Sequence, residues 1–262
     1  MSVSLVITTY NWKDALALVL QSALHQTRLP DEIVIADDGS NDGTDQMVAN
    51  IAVNAPVPIL HSWQEDNGFR VAMCRNKAIA KASGEYIILI DGDIVMERHF
   101  VEDHLSMARK GYFVQGTRVL LSEQKTNVLL NRRGDIISFW DKGIGNRKNC
   151  LRSPLFAKMF SWESAGIKGI KTCNFACWKE DAVNINGFDE DFVGWGREDS
   201  DFAARLLRYG VCRRTLRFCA IAYHLYHQVQ SRVSLGQNDA LLGETLQAVN
   251  KVQCGNGIDK YL

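Results

Sequence analysis

Two hydrophobic periodicities alternate along the first ninety residues. Val3–Thr9 is a short run rich in β-branched residues, and over residues 12–25 Ala15, Leu16, Val19, Leu20 and Ala23 recur at helical spacing. Residues 32–36 then read as a strand, 44–53 as a helix, 57–61 as a strand, 71–82 as a helix and 86–90 as an apolar strand. This β-α-β-α-β-α-β order predicts an α/β fold, a mostly parallel sheet with helices on both faces. Right-handed crossovers bring the loops after the strands to one edge, where such folds bind ligands. Beyond residue 98 the alternation weakens. Residues 98–110 read as a helix, 112–121 and 169–178 as strands, 198–209 as a helix, 217–227 as strand-like and 239–252 as a final amphipathic helix.

Chemistry concentrates where strands end. IADDGSNDGT follows the second strand, and ILIDGDIVM contains the end of the fourth. Neither has the Gly-x-Gly-x-x-Gly of a dinucleotide fold or the Gly-Lys-Ser/Thr of a phosphate loop, which counts against a dehydrogenase and an ATPase. Asp91-Gly92-Asp93 sets two like charges two residues apart, with a glycine that permits close approach of backbone or ligand. A hard divalent cation bridging to phosphate would stabilise that pair; a plain turn is the alternative. Asp37-Asp38-Gly39 reads first as turn chemistry, although an Asp there could accept the imide N–H of a uracil. Arg75, on the third helix, suits either a diphosphate or an ion pair to Asp38 or Asp91.

Gly194-Trp195-Gly196-Arg197 leads into a helix whose first turn holds Glu198, Asp199 and Asp201. The helix N-terminus is expected to keep these carboxylates ionised and acceptor-only. Asp199 then suits a general base for an attacking hydroxyl, whereas Asp201 suits an i, i+4 pair with Arg205. His224 and His227 close an apolar run. Beside a carboxylate motif, either imidazole is a plausible nitrogen ligand, in a set that suits Mn²⁺ slightly better than Mg²⁺.

Composition narrows the partners. Thirty basic residues balance thirty acidic ones among 262, which argues against a surface that coats nucleic acid or an anionic membrane as a whole. Residues 131–171 depart from that balance, with nine basic residues against three acidic and Phe139, Trp140, Phe156, Phe160 and Trp162 among them. Such a segment suits an anionic glycolipid acceptor or the inner face of a membrane. It equally suits nucleic-acid phosphates and stacked bases, or a plain solvated surface. No basic n-region or membrane-length apolar run occurs, and the seven cysteines contain no Cys-x-x-Cys pair. Reduced thiols in a cytoplasmic protein are the expectation.

The runs SLVITTYNWKDALALVLQSALHQTRLPDEIVIADDGSNDGT and RNKAIAKASGEYIILIDGD resemble family 2 glycosyltransferases of the GT-A fold. NFACWKEDAVNINGFDEDFVGWGREDSDFAARLLRYG resembles the galactosyltransferase-type C-terminal module. The resemblance covers roughly residues 2–95 and 169–230. It implies a nucleotide-sugar-binding half over 1–97 and an acceptor-binding, catalytic half over 98–262. It implies inverting, metal-dependent transfer from a UDP-sugar to a glycan or lipid-linked acceptor, as in lipopolysaccharide, O-antigen or capsule synthesis. Bacterial synthases of this group often carry several modules; one catalytic unit here departs from that and points to adding one sugar rather than building a polymer. Thr8, Tyr10 and Asp38 would hold the uridine, Arg75 would approach the diphosphate, and Asp91 would contact ribose or metal-bound water. Asp93 would ligate Mn²⁺ or Mg²⁺ together with His224 or His227. Trp195 would pack on sugars, Glu198 would bind donor or acceptor hydroxyls, and Asp199 would be the base. A nucleotidyltransferase would need a glycine-rich basic loop near the N-terminus, which TTYNWKDA is not; a non-catalytic sugar-nucleotide or glycan-binding module is the rival of another class.

Overall fold

The computed structural model describes residues 1–132, 137–228 and 231–262. Its first half runs β1 (Val3–Thr9), α1 (Lys13–Leu24), β2 (Glu32–Asp37), α2 (Thr44–Ala52), β3 (Ile59–Trp63), α3 (Val71–Lys81) and β4 (Tyr86–Asp91), the order that the periodicities predict. β1 pairs in parallel with β2 and β4, and β2 with β3. Side chains alternate across this sheet as strand geometry requires. Leu5, Ile7, Ile33, Ile35, Ile88 and Ile90 enter one core under α1, while Val6, Val34, Ile87 and Leu89 enter the other with α3. Burial on both faces is why these strands read as continuous apolar runs. The register sets Thr8 opposite Asp91 and Thr9 opposite Asp37, so both acidic turns open on one edge.

The second half continues with β5 (Ile94–Met96), α4 (Phe100–Met107), β6 (Tyr112–Gln115), β7 (Val119–Leu121), α5 (Glu123–Asn131) and β8 (Ile144–Gly145). After a 3₁₀ turn at Arg147–Cys150 come α6 (Pro154–Phe160), β9 (Trp162–Ser164), β10 (Asn174–Trp178), α7 (Lys179–Asn184), α8 (Glu198–Arg208), β11 (Cys212–Thr215), β12 (Ala222–His224), α9 (Leu235–Gln247) and a 3₁₀ turn at Ile258–Tyr261. Among the described residues the main sheet has the order β3-β2-β1-β4-β10-β6-β11-β9, and β5-β12-β7-β8 form a second sheet. β10 lies antiparallel between β4 and β6, so the main sheet runs unbroken through both halves of the chain.

Four expectations need correction. The strand expected over 112–121 breaks at Gly116, whose amide donates to Asn174 O at 2.8 Å. A Cβ there would lie 2.2 Å from the Asn174 side chain, and the chain turns away to place β7 in the second sheet. The strand expected over 217–227 shrinks to β12, because Phe218 and Ala220 adopt left-handed backbone at φ 58° and 49°. The strand expected over 169–178 starts only at Asn174. The last helix starts at Leu235 and ends at Gln247, well before residue 252. It buries Asn238, Leu242 and Thr245, a largely polar set that apolar spacing does not reveal.

The expected pair of Asp201 with Arg205 is present, at 2.7 Å and fully buried in α8. All seven cysteines are free thiols, five of them buried. Among the described residues no helix is long and apolar enough to cross a membrane. Arg133 and Asp135 of the basic segment, and the last two positions of the module expected over 169–230, lie outside the described residues.

Candidate active site

The β4–β5 turn is drawn tightly against the end of β1. Gly92 N donates to Thr8 O at 2.6 Å. A Cβ at that glycine would sit 3.0 Å from the same oxygen and 3.1 Å from Thr9 Oγ1. β5 then pairs antiparallel with β12, setting His224 opposite Ile94, and Leu225 N donates to Asp93 O at 2.9 Å. This pairing delivers both histidines to Asp93: Nε2 of His224 and of His227 lie 3.5 and 3.2 Å from Asp93 Oδ2. One ligand atom from each of the three falls within 4.8 Å of the others. The sequence leaves open which imidazole lies beside Asp93; the structure gathers both.

The donor set fits a divalent cation. Asp93 Oδ1 is buried without a hydrogen-bond partner, a costly state that a cation would relieve. His227 Nδ1 lies 2.7 Å from Gln228 O, so it is the donor nitrogen, and a neutral ring then turns the Nε2 lone pair toward Asp93. Two lone-pair groups face each other there unless a proton or a metal ion lies between them. The Asp93 hydrogen bond accordingly raises the His227 pKa, whereas burial lowers that of His224.

Arg75 is the hub of the adjoining cluster. Its Nη2 lies 3.1 Å from Asp91, its Nη1 lies 3.3 Å from Glu198 and 3.2 Å from Asp199, and its Nε donates to Thr8 Oγ1 at 3.3 Å. Of the two ion pairs considered for it, the one to Asp91 forms, while Asp38 has other partners. Three carboxyl groups thus surround one buried guanidinium beside the Asp93–His224–His227 triad. Burial pushes the Asp91 pKa up, against the pull of Arg75.

Glu198 departs from expectation. Burial, and then the neighbouring charge of Asp199, push its pKa up, and its Oε2 is buried without a partner. Desolvation outweighs the helix N-terminus and Arg75, so the protonated acid is favoured rather than the anion. Asp199 has 21% of its side chain open against 10% for Glu198, which leaves Asp199 the more reachable from solvent. Its Oδ2 accepts from Thr172 N at 3.0 Å and its Oδ1 from Thr172 Oγ1 at 2.7 Å. With Arg75 also on Oδ1, Oδ2 keeps a lone pair free. Thr172 escapes a sequence reading because it lies in the loop before β10, inside a run that looks like strand.

At the end of β1, Tyr10 is exposed and its hydroxyl donates to Asp66 Oδ2 at 2.9 Å. Asp66 is an exposed acid that no motif flags. Asp38 is buried, with its carboxylate accepting from Gln64 Nε2 at 2.6 Å and from Arg70 N at 2.9 Å. Burial pushes its pKa up to about 6. Asp37 serves the turn, accepting from Ser40 N at 2.8 Å, with His61 Nε2 at 2.8 Å from its other oxygen. Trp195 borders a cavity of about 260 Å³ with Phe69, Val193 and Ser234, and the Arg232 guanidinium lies 5.3 Å from its ring. Asn238 Nδ2 donates to Gly196 O at 2.9 Å, so α9 braces the Gly-Trp-Gly loop.

The architecture is that of the GT-A fold, a mixed sheet with its acidic turns on one edge and a second sheet beside them. Residues 4–161 match the family described as Glycosyl transferase family 2, and residues 156–228 match the N-terminal domain of galactosyltransferase. The chain belongs to glycosyl transferase family 2. It is 28% identical to the chondroitin synthase of Escherichia coli over 84% of this chain and 34% of that one. It is also 28% identical to the validoxylamine A glucosyltransferase of Streptomyces hygroscopicus subsp. limoneus, over 79% of this chain and 48% of that one. The chain thus spans between a third and a half of these relatives. The crystal structure of S. aureus TarS 1-349 in complex with UDP-GlcNAc matches 95% of this chain and 67% of that one, with TM-score 0.64 and 18% identity.

Proposed function

We propose that the protein transfers a hexose or N-acetylhexosamine from a UDP-sugar to a hydroxyl of a glycan or glycolipid, with inversion, in bacterial surface polysaccharide synthesis. The observation that carries this reading is the meeting of Asp93, His224 and His227 with the Arg75–Asp199 cluster on one sheet edge. The UDP and UDP-GlcNAc complexes of TarS and the synthases among the relatives support it. Residues 1–97 would hold the nucleotide sugar and residues 98–262 the acceptor and the base. Thr8, Tyr10 and Asp38, with Asp66 beside them, would take the uridine, and Asp91 the ribose or metal-bound water. Four of the five Arg75 N–H donors are engaged, which leaves one on Nη2, beside its charge, for the diphosphate.

Mn²⁺ or Mg²⁺ held by Asp93, His224 and His227 would supply charge stabilisation for the leaving diphosphate. Asp199 takes the proton of the acceptor hydroxyl as its oxygen forms a bond to the anomeric carbon. The bond from that carbon to the β-phosphate oxygen breaks on the opposite face, and the electron pair leaves with UDP. Protonated Glu198 donates to a sugar hydroxyl, and Trp195 packs against the sugar ring. Charge develops in an oxocarbenium-like transition state, as in glycoside cleavage. Incubation with Mn²⁺ and a panel of UDP-sugars tests this through release of UDP. Release from one or two donors, abolished by EDTA, is expected; no release from any of them overturns the reading.

The acceptor is proposed to be presented at the cytoplasmic face of the inner membrane. α6 leaves Leu155, Phe156, Met159 and Phe160 exposed, with exposed Lys148 and Lys158 in the same segment. Apolar residues among cations suit an anionic leaflet. The protein should sediment with vesicles containing phosphatidylglycerol more than with phosphatidylcholine alone, and a Leu155→Ser/Met159→Ser variant should stay in solution. Equal sedimentation of that variant sinks the membrane assignment.

A further inference from the structure

Away from the catalytic edge, a second cavity of about 260 Å³ is lined by Trp162, Ser164, Gly166, Lys168, Arg213 and Thr215. β9 and β11 build it. Their antiparallel register sets Trp162 opposite Thr215 and Ser164 opposite Arg213, so all four side chains leave one face of the sheet. Arg213 and Thr215 are only 8% and 5% exposed, yet Arg213 Nε and Thr215 Oγ1 have no hydrogen-bond partner. Arg213 Nη1 donates to the carbonyls of Gly166 and Lys168 at 3.1 and 2.8 Å, which holds the guanidinium in place.

No carboxylate among the described residues offsets this cation, and burial alone lowers its pKa. Glu163, between Trp162 and Ser164 in β9, is turned to Tyr112 and Arg109. A buried cation with an unmet donor is expensive, and an oxyanion is the ligand that relieves it. Lys168 adds a second, exposed cation, and Trp162 offers a half-exposed ring face. Two hydroxyls, two cations and an indole form a surface for a charged sugar rather than for a bare ion.

The cavity communicates with the catalytic residues through a short fixed path. Lys168 precedes by four residues Thr172, which holds Asp199. Gln115, opposite Thr215 in the β6–β11 register, bonds both the N–H and the carbonyl of Lys171, each at 3.0 Å. Three strand spacings separate β11 from β4, or about 14 Å. That is the reach of a short oligosaccharide.

We propose that this cavity is an acceptor subsite for an anionic saccharide: its carboxylate or phosphate meets Arg213 and Lys168, its ring lies on Trp162, and the chain extends toward Asp199. The subsite rests on the reading of Asp199 as the base for a glycan acceptor. Calorimetric titration of the full chain with trigalacturonate, glucose 6-phosphate and maltotriose tests it, with UDP plus Mn²⁺ titrated in parallel. At least one anionic probe should bind about tenfold or more tighter than maltotriose, and which one binds identifies the oxyanion. Trp162→Ala and Lys168→Ala, both at exposed positions, should each weaken that binding about three- to tenfold and leave UDP binding unchanged, and Thr215→Val should weaken it without touching the charge. Equal binding of maltotriose, or unchanged binding by both exposed-site variants, overturns the subsite. Absence of saccharide binding while UDP binds also overturns it, whereas saccharide binding without UDP binding overturns the donor reading and leaves the cavity a saccharide site.

Discussion

Asp199→Asn should reduce sugar transfer by about a thousandfold or more while leaving UDP affinity within a few-fold. General-base catalysis contributes about 10²–10⁴ to a rate, and an amide cannot accept the hydroxyl proton. The substitution is isosteric, but not silent locally. Asp199 accepts on both oxygens, from Thr172 N on Oδ2 and from Thr172 Oγ1 and Arg75 on Oδ1. An amide nitrogen in either place meets an N–H or O–H donor, so a modest structural penalty accompanies the lost base. Thr172→Val separates the two effects, because it keeps the carboxylate and removes only the hydroxyl donor. We expect it to lower kcat by about tenfold, the cost of a loosened base, with the donor KM unchanged. Steady-state transfer and UDP calorimetry on the two variants decide the matter. Full turnover by Asp199→Asn would refute the base assignment.

The contrast between Thr172 and Asp199 shows which features a sequence exposes. β1, β2 and β4 are legible because each is buried on both faces and punctuated by turn residues, so composition and period agree. Asp91-Gly92-Asp93 and the Gly-Trp-Gly-Arg-Glu-Asp run are legible because their chemistry lies within a few residues. Thr172 is not, since its role arises only when the loop before β10 meets the N-terminus of α8. The convergence of both histidines on Asp93 depends likewise on the pairing of β12 with β5, a contact across 130 residues (Ile94 with His224). The ionisation of Glu198 reverses the local rule for the same reason. A helix start favours an anion, but the packing around Arg75 sets the burial, and burial wins. The cavity on β9 and β11 escapes because its strands are three and four residues long, too short to carry a period.

Asp93→Ala should abolish the Mn²⁺-dependent part of UDP binding. In the wild type, metal is expected to tighten UDP, because a cation held by Asp93, His224 and His227 would offset the charge of the diphosphate. Without Asp93 the two histidines remain, but two neutral nitrogens lack the anion that a hard cation prefers. UDP affinity with Mn²⁺ should then fall about a hundredfold, to the value measured in EDTA, and the wild type and the variant should be indistinguishable in EDTA. The thermal midpoint supplies a second readout, because a ligand that binds only the folded state raises it by mass action. Mn²⁺ should raise the midpoint of the wild type and not of Asp93→Ala. His224→Ala and His227→Ala divide the remaining ligation: a full ligand should cost about as much as Asp93, and an outer-shell residue about tenfold. Unchanged Mn²⁺-dependent UDP binding in Asp93→Ala sinks the metal assignment. The buried, partnerless Asp93 Oδ1 would then need another occupant, and the positive charge beside the leaving diphosphate would fall to Arg75 and His227.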